Sequence, residues 1–271
     1  MFFYKIRFLL LLFLFLASCS IPSENKRFEI IKEHNSDQFI EKIYKTAYFE
    51  IYSLNKISNS KKLIIYIEGD GLSWIDNYTI SSNPTPIDPL AFRLAKIDQN
   101  ENIIYLARPC QYIQTDICKN NKIWTVSQYS EPVLSSYKAI IDSLSQFEEI
   151  HIVGYSGGAG VAMYLGSSND NIKSIRTIAG NINHDEFVQL RNFTSPKNSV
   201  DFFSIEKKIK NISQIHYFGK NDKVIPRDLH LNFFKRNEGD NCVKIKEVQA
   251  THNEGWSNFW QMNYNKLPTC Y

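Results

Sequence analysis

Charge of one sign is scarce in this sequence. Its 271 residues carry 31 Lys and Arg against 28 Asp and Glu, a formal net charge of +3. So small an excess, with no basic stripe, excludes nucleic acid as an expected partner. No period of about 20–50 residues recurs, which argues against a solenoid or propeller. Cysteine is limited to five residues, without a C-x-x-C or a clustered Cys/His spacing, so neither a zinc site nor any other metal or cofactor is expected. The longest apolar run, Phe8 to Ala17, is too short to span a bilayer comfortably and suits a secretory signal. Glycine is also sparse, yet five of its eleven residues fall between Gly154 and Gly166. At 43% hydrophobic and 22% charged, the chain has the composition of one sizeable globular domain.

The N-terminus carries an address. Lys5 and Arg7 precede the apolar run, which ends in Leu16-Ala17-Ser18-Cys19. This ending resembles the lipobox of bacterial lipoproteins. The resemblance implies removal of residues 1–18, diacylglyceryl modification of Cys19, and attachment to the cell envelope. Ser20, in place of an aspartate, favours the outer membrane. Residues 19–45 are then a lipidated tether and 46–271 the domain. Loss of two basic residues leaves the mature chain at 29 − 28 = +1. Export to an oxidising compartment leaves Cys110, Cys118, Cys242 and Cys270 to pair. Three pairings are possible. The local one, Cys110–Cys118 with Cys242–Cys270, is simplest, and loop entropy gives it about 2.5 and about 3.6 kcal/mol respectively.

Apolar strand-like runs alternate with helical patterns along the rest of the chain. Strands are predicted over 47–54, 61–69, 102–109, 149–156, 172–180, 212–219 and 242–249, the first two as an opening antiparallel pair. Helices are predicted over 88–98, 130–147, 157–168, 226–237 and 255–264. This order implies a doubly wound α/β domain, a mostly parallel sheet with helices on both faces. Residues 181–211 are too long for an ordinary connection and are expected to form a small cap.

Within that order, Gly154-Tyr155-Ser156-Gly157-Gly158 matches G-x-S-x-G between a strand and a helix, the setting of a nucleophile elbow. Asp222 follows a later strand in "GKNDKVIP", and His252 follows the last strand in "VQATHNEGW". The order Ser, Asp, His is that of an α/β-hydrolase triad. Asp228 is a second acid candidate, placed on the following helix. Gly157 N–H and either Asp70 or Gly71 N–H are the candidate oxyanion donors. Many hydrolases have His-Gly where this chain has Glu68-Gly69, which leaves the roles of Glu68 and Asp70 open between internal hydrogen bonds and a substrate cation. Arg108 is open between a substrate carboxylate and pairing with Glu68 or Asp70. Tyr155 and His184 are further candidates for substrate contact.

The segments "IYIEGDGLSW", "NPTPIDPLAFRLAKID", "IIYLARPCQY", "WTVSQYS", "VGYSGGAG", "IAGNINHDEF" and "GKNDKVIP" extend the likeness. Together they resemble a group of exported proteobacterial α/β-hydrolase-like proteins over most of residues 65–226. The resemblance implies the α/β-hydrolase fold and a serine-hydrolase site. The first expectation for function is a monomeric, membrane-anchored hydrolase acting on an ester, thioester or amide as its small-molecule or acyl substrate. The alternative is a noncatalytic lipoprotein that uses the same scaffold to bind a ligand.

Overall fold

The computed structural model describes residues 21–35, 38–193 and 199–270. Cys19 and the signal segment lie outside the described residues, as do 194–198 within the expected cap. In chain order the elements are α1 (Glu24–Asn35), β1 (Ile40–Lys45), β2 (Glu50–Lys56), β3 (Lys62–Ile67), α2 (Leu90–Ile97), β4 (Ile103–Leu106) and α3 (Glu131–Asp142). They continue with β5 (Glu149–Tyr155), α4 (Gly157–Gly166), β6 (Ile172–Ile178), α5 (His184–Leu190) and α6 (Phe202–Lys208). The last are β7 (Ser213–Gly219), α7 (Arg227–Arg236), β8 (Val243–Val248) and α8 (Trp256–Gln261).

One sheet of eight strands runs in the order β1-β2-β4-β3-β5-β6-β7-β8. All neighbours from β4 to β8 are parallel, whereas β2 is antiparallel to β1 and to β4. Strand β3 shows why the sheet is buried on both faces. Its Leu63, Ile65 and Ile67 enter one core with Val133, Tyr137 and Val161 from α3 and α4. Its Ile64 and Tyr66 enter the opposite core with Leu90, Phe92, Trp256 and Trp260 from α2 and α8. A continuous apolar run whose alternate residues serve two cores is what a covered parallel strand requires.

All seven predicted strands and five predicted helices form, with ends shifted by a few residues. Pairing of the first two strands is corrected. The 61–69 strand lies beside β4 and β5, and β4 separates it from β2. The antiparallel partner of β2 is instead β1, which falls in the stretch read as tether. Helix α1 falls there too, and Ile31 on it is fully buried. The 181–211 segment supplies α5 and α6, which dock onto the domain. Arg236 on α7 pairs with Glu206 at 2.8 Å and Glu186 at 2.7 Å, and Phe202 is fully buried against Tyr129. The disulfides Cys110–Cys118 and Cys242–Cys270 form as the local pairing expects. Among the described residues no helix is long and apolar enough to cross a membrane.

Candidate active site

Parallel strands end along one edge of the sheet, and the loops leaving that edge meet around Ser156. The serine sits between β5 and α4 with φ 49°, ψ −119°, in the left-handed half of backbone space. A non-glycine residue there is strained, and the strain holds the hydroxyl off the helix axis and toward the edge. Its carbonyl accepts Ala159 N–H and Asn181 N–H, which pins the turn from both sides.

Ser156 Oγ lies 3.0 Å from His252 Nε2, and His252 Nδ1 lies 2.9 Å from Asp222 Oδ2. Three residues distant in sequence thus form one hydrogen-bonded chain. Asp222 Oδ1 accepts the N–H groups of Val224 at 2.8 Å and Ile225 at 3.0 Å. Burial opposes its charge, but the bond to His252 and those N–H groups outweigh it and hold the Asp222 carboxyl below its ordinary pKa. It is therefore ionised at neutral pH. Asp228 lies in the first turn of α7, as expected, and His252 bonds Asp222 instead.

The histidine loop is fixed by Trp256, which the sequence pattern did not single out, and by Tyr155. The Trp256 indole donates to the carbonyls of Thr251 and His252, each at 3.0 Å. Tyr155 hydroxyl donates to Asn253 Oδ1 at 2.6 Å, with its ring 5.4 Å from the His252 ring. Tyr155 thereby helps to position the His252 loop.

Opposite the serine, the loop after β3 makes its closest approach at Gly69, where an added Cβ would lie 3.0 Å from Ser156 Cβ. Gln111 donates to Gly69 carbonyl at 2.9 Å and Ser73 to Asp70 carbonyl at 2.7 Å. Among the described residues neither Asp70 N–H nor Gly157 N–H has a recorded partner, and Gly157 opens α4, where first-turn N–H groups have no helical acceptor. Gly71 takes φ +63°, and an added Cβ would collide with Pro84 carbonyl, so the turn requires glycine; its N–H, like that of Asp70, has no partner among the described residues.

Asp70 carboxylate packs directly on Gly157; a Cβ there would stand 1.9 Å from Asp70 Oδ1. Arg108, 4% exposed, meets Asp70 Oδ1 at 3.2 Å, and the Gln128 amide, oriented to donate, reaches Asp70 Oδ2 at 2.9 Å. Burial pushes the Asp70 carboxyl up, while Arg108 and His252 pull it back. Arg108 is thus a buried counter-ion of Asp70. Glu68 is 1% exposed and turned into the core. It accepts Gly69 N–H at 2.9 Å and Tyr105 hydroxyl at 3.2 Å, and burial raises its pKa to about 7. A substrate contact for Glu68 is therefore excluded by position. His184 is 4% exposed between Tyr129, Phe187 and Phe202 and bonds Asn181 at 3.0 Å, so it too is internal. Among the described residues no group of three or more His, Cys, Asp or Glu is arranged to hold a metal ion.

A family model described as "Serine hydrolase (FSH1)" matches residues 110–253, slightly more than half of the chain. Among solved structures, an esterase of Pyrococcus furiosus superposes with TM-score 0.58 at 14% identity, covering 86% of this chain and 90% of that one. Est1E from Butyrivibrio proteoclasticus gives 0.57 at 11% identity over 82% and 94%. A bromoperoxidase from Bacillus anthracis gives 0.54 at 15% identity over 83% and 97%. At these identities the likeness is one of α/β-hydrolase fold. No curated protein matches the sequence.

Proposed function

Since the chain belongs to the FSH1 family of serine hydrolases, we propose that Ser156, His252 and Asp222 are its catalytic triad and that it cleaves an ester, thioester or amide as an exported, lipid-anchored protein of the cell envelope. The observation that carries the site assignment is the hydrogen-bonded chain from Ser156 Oγ through His252 to Asp222. His252 Nε2 takes the Ser156 proton as Oγ attacks the substrate carbonyl, then returns it to the leaving group. Asp222 keeps Nδ1 protonated and stabilises the imidazolium. Gly157 N–H and Asp70 N–H receive the oxyanion, aided by the positive end of α4. Arg108 and Gln128 offset the Asp70 carboxylate that stands beside that oxyanion. The acyl-enzyme is then cleared by water on the same base.

The family membership replaces the noncatalytic alternative. The apolar N-terminal run and Cys19 support export and lipidation. The assignment is tested with a fluorophosphonate probe. It should label the wild-type chain and the Ser168→Ala control, and labelling should vanish in Ser156→Ala. Labelling that survives in Ser156→Ala sinks the assignment.

A further inference from the structure

Exposed large apolar side chains recur on the loops that ring Ser156. After β3 the chain folds into a short hairpin, with Trp74 bridging Ile80 and Ile75 N–H bonding Thr79 carbonyl at 2.8 Å. Asp76 accepts the N–H groups of Tyr78 and Thr79, each at 2.8 Å, and braces the tip. On that braced tip Trp74, Ile75 and Tyr78 are 45%, 49% and 91% exposed. Val126 after β4, Phe193 after β6 and Val224 after β7 are exposed as well. Arg191 donates to the Lys223 and Val224 carbonyls, which ties the last two loops together. Other large apolar side chains are exposed elsewhere, Ile40, Ile43, Phe234 and Met262 among them, but the braced hairpin gathers Trp74, Ile75 and Tyr78 on one loop of this edge, and such a cluster marks an interaction surface.

The start of the chain lies at the same edge. Arg27, in the first turn of α1, donates to Asn83 carbonyl at 3.1 Å in the loop after β3. Phe28 packs on Tyr112, in the loop after β4, and on Tyr52, whose carbonyl accepts Ala107 N–H just beyond β4. Helix α1 therefore begins at the edge that carries Ser156. Cys19 precedes Glu24 by five residues, a reach of at most about 17 Å.

We propose that the rim formed by Trp74, Ile75, Tyr78, Val126, Phe193 and Val224 docks on a phospholipid bilayer, so that the Ser156 site opens toward an amphiphilic ester held in that bilayer. The side that faces the lipid follows from where α1 begins and rests on the anchoring proposed above. The bilayer is the occupant because α1 begins at this edge and the apolar N-terminal sequence with Cys19 precedes α1 in the chain. Trp and Tyr favour the membrane interface, so the rim would orient on the bilayer a chain that the diacylglyceryl anchor holds there.

The test uses the full chain reconstituted in vesicles of phosphatidylethanolamine and phosphatidylglycerol. A nitroxide is placed at Tyr78→Cys or at Ile57→Cys, with the unsubstituted chain as background. Ile57 is an exposed residue beyond the end of the antiparallel β2, at the opposite edge. Relative to the Ile57 label, the Tyr78 label should relax several-fold faster with oxygen and several-fold slower with an aqueous nickel complex. Equal access to nickel overturns the proposal, and so does shielding from both reagents, which means that protein covers the rim. In a second arm, Trp74→Ser with Tyr78→Ser should keep probe labelling in detergent and lose about tenfold in hydrolysis of a vesicle-embedded ester. Unchanged hydrolysis overturns the proposal. Absence of probe labelling in wild type defeats the triad assignment alone, since the nitroxide depth does not depend on activity.

Discussion

The proposed nucleophile Ser156 is legible because glycines, strand and helix announce its turn, and its hydrogen-bonded partners His252 and Asp222 because their order and loops are the expected ones. The side chains that hold them were not legible. Gln111, Gln128 and Asn253 act on backbone groups or on a partner far away in sequence, and such pairings leave no pattern in a single chain. Glu68 occupies an intermediate place: its position was noticed, but its orientation follows only from packing. Its raised pKa has a measurable cost. Burial lifts it from the ordinary 4.5 to about 7, so between those values the folded state keeps a proton that the unfolded state releases. Folding stability then falls as pH rises through that window, by about 3 kcal/mol at its upper end. Glu68→Gln keeps an acceptor for Gly69 N–H and removes the ionisation. Urea midpoints should show the variant close to wild type near the bottom of the window and more stable than wild type at about pH 8. Parallel pH curves for the two proteins would refute this account.

Among the elements, buried ones were readable and thinly buried ones were not. Strands β3, β4 and β5 are covered on both faces, so their apolar runs stand out. Helix α1 buries only Arg27 and Ile31, and edge strand β1 buries a single side chain, Tyr44. Neither gives a periodic signal, and without β1 the pairing of β2 was open to misreading. The C-terminal disulfide acts at this scale as well. Cys242 and Cys270 span β8, the His252 loop and α8, and Cys270 is exposed whereas Cys110 and Cys118 are buried. A mild reductant should therefore open the 242–270 bond first. Replacing both of its cysteines by serine should lower stability by about 3.6 kcal/mol if chain entropy governs. Labelling of Ser156 should slow less steeply, because Trp256 and Tyr155 still hold the His252 loop. An unaltered urea midpoint would show that the bond restrains nothing.

Over the whole molecule, burial lowers the pKa of all five histidines other than His252, most strongly at four of them. The pKa values of His151, His184 and His230 fall to about 4, and that of His216 to about 3. Arg176 and Lys62 add to the effect at His151, Arg108 at His184, and His230 at His216, while Asp222 opposes it at His230. Each folded value lies below the ordinary 6.5, so the unfolded chain binds more protons between 6.5 and about 4. Stability is full above 6.5 and is lost as pH falls through that range. Glu68, Asp70 and Asp185, whose pKa values burial raises, work in the other direction, but the four deeply buried histidines outnumber them. Lowering pH from about 7 to about 4.5 should cost several kcal/mol, seen as a lower urea midpoint. A midpoint that stays level or rises would contradict the burial of these rings.

The contact of Asp70 with Gly157 has a consequence for descent as well as for chemistry. Since a single methyl at 157 would collide with the carboxylate at 70, these two positions are not free to drift separately. A lineage that gives up this glycine must first shorten or turn aside residue 70, and Arg108 then loses its counter-ion. Three positions in separate parts of the sequence are therefore bound to a common history and should change together across relatives.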